Sequence, residues 1–219
     1  MNVLELFAGS RSIGKAAQQL NMKVFSTDFE PFEGIDYVVD VLEFDYTKVP
    51  FVPDVIWASP PCTGFSVASA WKHWKGQGEN SIPITDTAWL GIQLVKKTLE
   101  IIEYYQSLNP ELIWYIENPR GKLRWMSFMQ NLPIRHTVTY CQYGDNRMKP
   151  TDIWTNNPKW KPRPMCKPRS SCHRSAPRGS YSGTQGMSSS YERSKVPHEL
   201  CLEVLSTLME SRITHDSIV

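Results

Sequence analysis

The sequence has no long apolar run, no internal repeat and few cysteines. No stretch approaches the roughly 18 consecutive apolar residues of a membrane-spanning helix. The strand-like segment 2–7 stands where a signal peptide would begin, so we expect neither a membrane span nor a signal peptide. The five cysteines are an odd number without the spacing of a secreted disulfide framework, which favours free thiols in a reducing compartment. We therefore expect a cytoplasmic protein.

The rest of the composition is ordinary for a globular protein, but its charge is unevenly placed. The 219 residues are 41% hydrophobic and 21% charged, enough for one domain with a substantial core. The formal net charge is only +2, yet the segment 159–178 contains no acid. Its seven basic residues are Lys159, Lys161, Arg163, Lys167, Arg169, Arg174 and Arg178. A solvated flexible loop and a phosphate-contacting segment both remain open.

Short apolar runs alternate with helix-like segments through the first half of the chain. Strands are predicted at 2–7, 23–28, 37–41, 53–59 and 112–118, and helices at 9–20 and 87–108. Apolar runs with few polar interruptions, separated by helices, are typical of a parallel sheet that is covered on both faces. The pattern therefore predicts an α/β fold with a mainly parallel sheet.

The second half of the chain follows a different pattern. Segments 135–144 and 151–156 alternate like antiparallel partners, and 196–212 has the period of a helix. Between them, 157–192 is rich in Pro, Ser, Gly and Arg and has no period, so we predict a long basic loop. The expected organisation is a single domain over 1–219 with a small antiparallel extension.

Groups that suit a nucleoside ligand follow three successive predicted strands. The segment "FAGSRSIG" (7–14) has glycines that let the backbone approach a ligand at a helix N-terminus. Asp28 follows the second strand, where an acid accepts from ribose hydroxyls, and Asp40 follows the third, placed to accept from an adenine amino group. Each feature alone is also explained by tight packing or a surface acid. Together, at one edge of the sheet, they favour a nucleoside cofactor.

Cys62 lies in "SPPCTGFS" (59–66), directly after a predicted strand. Pro60 and Pro61 cannot continue a strand ladder, so the thiol lies in a turn whose free N–H groups can stabilise a thiolate. Glu117 ends the next strand in "YIENPRG" and brings a proton-holding carboxyl group to the same edge. Although an isolated Cys62 would be read as an inert packed thiol, the pair favours a nucleophile.

These segments resemble the motifs of the cytosine-5 DNA methyltransferase family, in the family's order and at roughly its spacing, over about residues 1–157. The matching segments are "LELFAGSRSIG", "TDFEP", "VVDV", "ASPPCTGFS", "YIENPRG" and "YGDNRMKP". The segment 193–205 is similar in outline to the last family motif, a helix that completes the cofactor pocket. The resemblance implies a Rossmann-like S-adenosylmethionine-dependent methyltransferase fold.

The resemblance also implies a reaction, the transfer of a methyl group from S-adenosyl-L-methionine to carbon 5 of a cytosine in DNA. Cys62 would add to carbon 6 while Glu117 hydrogen-bonds or protonates N3, and Arg147 would polarise the base O2 and steady the cysteine loop. The target base must leave the stack to reach the thiol. The implied cofactor-binding residues are Phe7, Ala8, Gly9, Ser10, Asp28, Phe29, Asp40, Val41 and Pro60.

The sequence departs from the family pattern in several places. Arg11 and Ser12 replace the usual glycine pair, Asp145 stands near the usual Gln, and Lys149 stands where a second Arg is usual. Only the basic loop 157–192 is available in place of a large target-recognition domain. Recognition would then fall to that loop, to the aromatic and lysine-rich segment 69–81, or to a protein partner. Such compactness suggests a phage or restriction-modification enzyme, at work in a bacterial or phage-infected cell.

Two other functions remain open. One is an RNA cytosine-5 methyltransferase, and the other is a non-catalytic, nucleic-acid-binding methyltransferase-like subunit. Methylation of an exocyclic amino group is disfavoured, since those enzymes have an aromatic residue after Ser-Pro-Pro and need no thiol. Cys166, Cys172 and His173 with Cys141 suggest zinc, but C-x5-C-H is a weak metal spacing, so we predict no metal site.

Overall fold

A seven-stranded sheet organises the part of the chain that the computed structural model describes, residues 1–167, 169–174 and 189–216. In chain order the strands are β1 (Asn2–Leu6), β2 (Lys23–Asp28), β3 (Tyr37–Val38), β4 (Val55–Ala58), β5 (Trp74–Lys75), β6 (Ile82–Pro83), β7 (Ile113–Pro119), β8 (Ile134–Thr139) and β9 (Pro150–Thr155). The large sheet has the order β3-β2-β1-β4-β7-β9-β8, while β5 and β6 form a separate hairpin.

The pairing is parallel from β3 to β7 and antiparallel beyond it. β9 runs antiparallel to both β7 and β8, which confirms the predicted parallel sheet with an antiparallel extension. In the register of the central strands, Leu6 lies beside Ala58, and Ala58 lies beside Ile116. The carboxyl ends of β1, β4 and β7 therefore meet at one edge, the place where open α/β sheets bind ligands.

Helices cover both faces of the sheet. They are α1 (Ser12–Gln19), α2 (Ala70–His73), α3 (Asp86–Leu108), α4 (Ser127–Gln130), α5 (Ser190–Ser194) and α6 (His198–Asp216). Because side chains alternate along a strand, Leu4 of β1 packs in the core on the α3 side, while Val3 packs with α1 and α6. This two-sided burial explains why the strands read as apolar runs. Among the described residues, no helix is both long and apolar enough to cross a bilayer.

Several predicted strands are shorter in the structure, and two of them are cut short by 3-10 turns. The strand predicted over 37–41 ends at Val38, because Asp40 instead caps a 3-10 turn and accepts the Leu42 N–H at 3.0 Å. The strand predicted over 135–144 ends at Thr139 and continues as a 3-10 turn, Tyr140–Tyr143, that closes at Gly144 with a φ of 81°. The left-handed conformation there is one that glycine adopts without cost.

The predicted basic loop is partly anchored. Its described residues 157–167 and 169–174 contain no helix or strand, but the loop predicted over 157–192 is wrong at its end, since 190–192 belong to α5. Trp160 is nonetheless buried, and its indole N–H donates to Glu203 of α6 at 3.1 Å. Arg163 pairs with Glu199 and Glu203, so this cation is used to hold the loop against α6. Residues 168 and 175–188, including Arg178, lie outside the described part of the chain.

Candidate active site

The turn after β1 keeps a glycine-like conformation without the usual glycine pair. Arg11 has a φ of 55°, in the left-handed region where a residue with a side chain is strained, and Phe7 has a φ of 56°. The Arg11 Nε donates to the Ser26 hydroxyl at 3.1 Å, which ties this strained residue to β2. The N–H of Gly9 donates to Oδ2 of Asp28 at 2.8 Å, so the turn is also held against the end of β2.

Glu5 lies beneath this turn and was not identified from the sequence as a site residue. It is buried in β1, where Oε1 accepts from the Ile13 N–H at 3.0 Å and Oε2 accepts from the Ser26 hydroxyl at 2.9 Å. Glu5 thus accepts from a backbone N–H in the first turn of α1 that has no partner within the helix. Arg11, the residue before the helix, makes no side-chain hydrogen bond to that turn. Burial raises the pKa of Glu5 to about 7, although these hydrogen bonds oppose the rise. A lone acid in an apolar strand was the signal in the sequence.

An open cavity of about 500 Å³ lies at the carboxyl ends of β1 and β2, and we call it the outer cavity. Its volume is within the range of small-molecule sites, about 300–1,000 Å³. Six of the predicted cofactor residues line it: Phe7, Gly9, Asp28, Phe29, Asp40 and Val41. Phe32 and Tyr191 line it as well, with ring centroids 5.3 Å apart. The outer cavity thus combines two carboxylates with apolar and aromatic surface.

A second cavity, the inner cavity, lies between the ends of β1, β4 and β7. It is lined by Cys62 and Glu117, together with Ala8, Ser10 and Pro60 of the predicted cofactor set. Residues that line both cavities are Phe7, Gly9, Ser59, Pro61 and Ser194. The two cavities therefore adjoin, so that groups bound in them would lie next to each other.

The loop that carries Cys62 is fixed from both sides. Asn118 of β7 donates from Nδ2 to the Pro60 carbonyl at 2.8 Å, and the buried Trp74 donates from its indole N–H to the Gly64 carbonyl at 2.6 Å. Ser66 forms an isolated bridge with Gly121, where a Cβ atom would collide with the Phe65 carbonyl oxygen. Glycine at 121 is thus required by this close approach. The loop that carries the thiol is thus held at the end of β4 by Asn118 of β7, Trp74 of β5 and Gly121.

Glu117 is buried at the end of β7 and has two polar partners from the antiparallel extension. Tyr140 donates its hydroxyl to Oε1 of Glu117 at 2.8 Å, and the Nζ of Lys149 lies 3.9 Å from the same oxygen. The Lys149 ammonium also lies 4.7 Å from the centroid of the Tyr140 ring, a cation–π arrangement. Tyr140 was not identified from the sequence, because it lies inside the alternating segment predicted over 135–144 and belongs to none of the motifs.

The half-buried Cys62 thiol is held in its neutral form. Burial raises the pKa of Cys62 above its usual value, the Lys149 cation opposes the rise, and the Glu117 charge adds to it. A thiol in this state becomes a nucleophile when its proton is removed, and the nearby cation is the group that stabilises the resulting thiolate.

Arg147 does not line the inner cavity, although its guanidinium lies 5.5 Å from the centroid of the Tyr140 ring. Its guanidinium forms a salt bridge with Asp145 and donates to the carbonyls of Arg193 at 3.0 Å and Lys195 at 3.1 Å. Lys149 donates to the Arg193 carbonyl as well, at 3.2 Å. Arg147 and Lys149 thus hold the segment 189–196 across the site, where Tyr191, Ser194 and Val196 line the cavities. Asp145 in place of the family's usual Gln provides the carboxylate for this arrangement.

A viral relative shows where this chain belongs. A protein of Frog virus 3 (isolate Goorha), named "Probable DNA (cytosine-5)-methyltransferase", is 34% identical over 177 residues, which cover 78% of this chain and 78% of the relative. This chain belongs to the DNA (cytosine-5)-methyltransferase family. The family identified from the motifs is thereby confirmed.

More distant matches to the methyltransferase come from solved structures. The S. pombe Dnmt2 methyltransferase is 14% identical with a TM-score of 0.46, over 75% of this chain and 51% of that one. A DNMT2 mutant from Spodoptera frugiperda is 16% identical with a TM-score of 0.44, over 73% of this chain and 51% of that one. This methyltransferase spans about half the length of each. No protein-family model matches the chain.

Proposed function

We propose that this methyltransferase transfers a methyl group from S-adenosylmethionine to carbon 5 of cytosine in DNA. Family membership supports the reaction class. The observation that carries the proposal is the adjoining pair of cavities, one with the thiol and carboxyl group of Cys62 and Glu117 and the other with Asp28 and Asp40. A methyl donor in the outer cavity would therefore face a base in the inner one.

The outer cavity fits S-adenosylmethionine by the chemistry of its lining. Asp28 and Asp40, at the ends of neighbouring strands, supply acceptors for ribose hydroxyls and for an adenine amino group, and Phe29 supplies apolar surface for the ring. Phe7, Ala8, Gly9, Ser10 and Pro60 would lie along the methionine part. When bound, S-adenosylmethionine supplies an electrophilic methyl group on a sulfonium.

Cys62 is the nucleophile in the reaction that we propose. Its thiolate adds to carbon 6 of the cytosine, which makes carbon 5 electron-rich enough to accept a methyl group. Transfer of the carbon 5 proton to a water molecule then expels Cys62 as a thiolate and restores the aromatic ring. Because the resting thiol is neutral, its proton must pass to solvent when the base binds, and Lys149 then stabilises the thiolate.

Glu117 holds a proton against N3 of the cytosine while Cys62 adds. Its Oε1 is occupied by the Tyr140 hydroxyl and lies near Lys149, which leaves Oε2 for the base. Tyr140 and Lys149 are therefore positioning residues. Arg147 is also a positioning residue, because its guanidinium binds Asp145 and the segment 189–196 rather than an open part of the inner cavity.

Two segments would contact the nucleic acid. In the segment 69–81, Trp74 is buried as an anchor, whereas Trp71 is 73% exposed with the Lys72 ammonium 5.2 Å from its ring centroid. An exposed aromatic ring beside a lysine suits base stacking and phosphate contact once the target base has left the helix. In the basic loop, Lys167 and Arg169 are exposed and suit phosphates.

Trapping with 5-fluorocytosine tests this function. Fluorine at carbon 5 blocks the final elimination, so duplex and single-stranded DNA pools that contain it should form a covalent adduct in the presence of S-adenosylmethionine. Mass analysis should place the adduct on Cys62, and Cys62→Ala should abolish it while cofactor binding survives. An RNA pool that contains 5-fluorocytosine is tested in parallel, and adducts with this pool alone would assign the substrate to RNA. No adduct with any pool, together with nucleic-acid binding unchanged in Cys62→Ala, would indicate the non-catalytic subunit.

A further inference from the structure

Four potential metal ligands converge on the side of the molecule that carries the basic loop. Their ligand atoms all lie within 4.8 Å of one another, and the residues are Cys141, Cys166, Cys172 and His173. Cys141 belongs to the 3-10 turn that follows β8, and the other three belong to the loop. The sequence pointed to these four residues as a zinc site, but we predicted no metal site because C-x5-C-H is a weak metal spacing.

Three of the six separations between the ligand atoms match those of a tetrahedral zinc site, and the other three do not exceed 4.8 Å. The Sγ atoms of Cys172 and Cys141 are 3.6 Å apart, and Nδ1 of His173 lies 3.5 Å from the Cys166 Sγ and 3.6 Å from the Cys172 Sγ. With Zn–S near 2.3 Å and Zn–N near 2.0–2.1 Å, a tetrahedron separates two sulfurs by about 3.8 Å and a sulfur from a nitrogen by about 3.5 Å. The cysteines are free, and a disulfide would instead require about 2.0 Å between sulfurs.

Neighbouring polar groups orient these ligands. The N–H of Cys166 donates to the Thr139 hydroxyl at 2.8 Å, and Gln142 Nε2 donates to the Cys172 Sγ at 3.3 Å. The N–H of Arg174, directly after the last ligand, donates to the Asn146 carbonyl at 3.0 Å. Such partners fix ligand orientation in structural metal sites. The buried Cys141 and the exposed Cys172 place the cluster at the surface, with a path for an ion to enter.

We propose that this methyltransferase binds one Zn²⁺ ion through Cys141, Cys166, Cys172 and His173 as a structural site. Three thiolates and a neutral imidazole complete the tetrahedron, and the three thiol protons are released to solvent. Soft thiolate ligands select zinc over the hard cations magnesium and calcium. Because all four positions are filled by protein, the ion has no open position for substrate.

The position of the ion would link the basic loop to the active site. Cys141 directly follows Tyr140, which donates to Glu117. Zinc would therefore fix the turn that holds Tyr140. Since the Arg174 N–H donates to the Asn146 carbonyl, directly before Arg147, zinc would also keep Lys167 and Arg169 on the side of the molecule that carries Arg147. The contact of these cations with DNA rests on the proposed function, whereas the binding of zinc does not.

Metal analysis of the purified full-length protein tests the site. Elemental analysis and native mass spectrometry should find about one zinc per chain, and cobalt should replace it with the visible absorption of a tetrahedral thiolate complex. Cys166→Ser and Cys172→Ser should each weaken zinc binding more than about 100-fold. Loss of a residue that only hydrogen-bonds to a ligand already lowers metal affinity about 10- to 100-fold. Cys62→Ser, which removes a thiol outside the cluster, should retain the metal.

Three outcomes would overturn the zinc site. They are protein without zinc that also fails to take up zinc or cobalt under reducing conditions, a Cys141–Cys172 disulfide in freshly purified protein, and equal metal loss from Cys62→Ser and Cys172→Ser. The readout separates this inference from the proposed function. Zinc binding without a 5-fluorocytosine adduct would support the metal site and contradict the proposed activity. An adduct formed by protein that binds no zinc would support the activity and contradict the metal site.

Discussion

The hydroxyl of Tyr140 donates to Oε1 of Glu117 at 2.8 Å inside the protein, where both side chains are buried. Tyr140 follows an edge strand of the antiparallel extension, and Glu117 ends a central strand. This bond joins the parallel part of the sheet, where we propose that the cofactor binds, to the antiparallel extension, which carries the basic loop. It sets the orientation of the carboxyl group on which the proposed chemistry depends.

Tyr140→Phe should slow methyl transfer by about tenfold or more and leave cofactor affinity nearly unchanged. A hydrogen bond to a charged group is worth about 1.5–3 kcal/mol, and its loss would let the Glu117 carboxyl rotate. Single-turnover rates across pH and cofactor titration would measure the two effects. The same substitution at Tyr143, whose hydroxyl lies 3.2 Å from Glu203, is the matched control. Equal rate losses in both variants would contradict a specific role for Tyr140.

Glu117→Gln should slow the chemical step by roughly a hundredfold or more, since it removes a positioned proton donor. The amide keeps the shape of the side chain and can accept from Tyr140, so the fold and the outer cavity should be preserved. Rapid-quench measurement of methyl transfer, with cofactor binding measured in parallel, would test this. A near-normal rate would refute the role given to Glu117.

Lys149→Gln should shift the reactivity of Cys62 to higher pH. Burial raises the Cys62 pKa and the Lys149 cation lowers it, so removal of the cation leaves a still higher pKa. The rate of Cys62 alkylation, followed by mass spectrometry of its peptide, rises with pH as the thiolate forms. Its midpoint should therefore move upward in the variant. Lys122→Gln is a lysine control, and the same midpoint in wild type and Lys149→Gln would exclude the electrostatic effect.

Glu5→Gln should make the protein more stable at alkaline pH than the wild type. The folded-state pKa of Glu5 is raised from 4.5 to about 7, so its favourable contribution is complete below pH 4.5 and is lost as pH rises through about 7. A shift of this size corresponds to about 3 kcal/mol. The Tm difference between variant and wild type should thus grow between pH 5 and pH 8. The exposed Glu30→Gln is the control, and a difference that does not change with pH would contradict the burial argument.

The sequence by itself determined the parallel core and the positions of Cys62 and Glu117. Apolar runs interrupted by helices leave few arrangements other than a covered parallel sheet, and residues that follow such strands meet at one edge. The end of β3 and the length of β8 were not determined in this way, because the Asp40 cap and the Gly144 turn compete with strand pairing at short range.

Only the tertiary structure decided the partners of these groups. The contact of Tyr140 with Glu117 depends on antiparallel pairing between β9 and β7, and the cluster of Cys141 with Cys172 depends on a loop that the buried Trp160 anchors. Local periodicity records which face of an element is buried but not which distant element covers it. Contacts across the sheet and through a loop without a period therefore became visible only when the chain was folded.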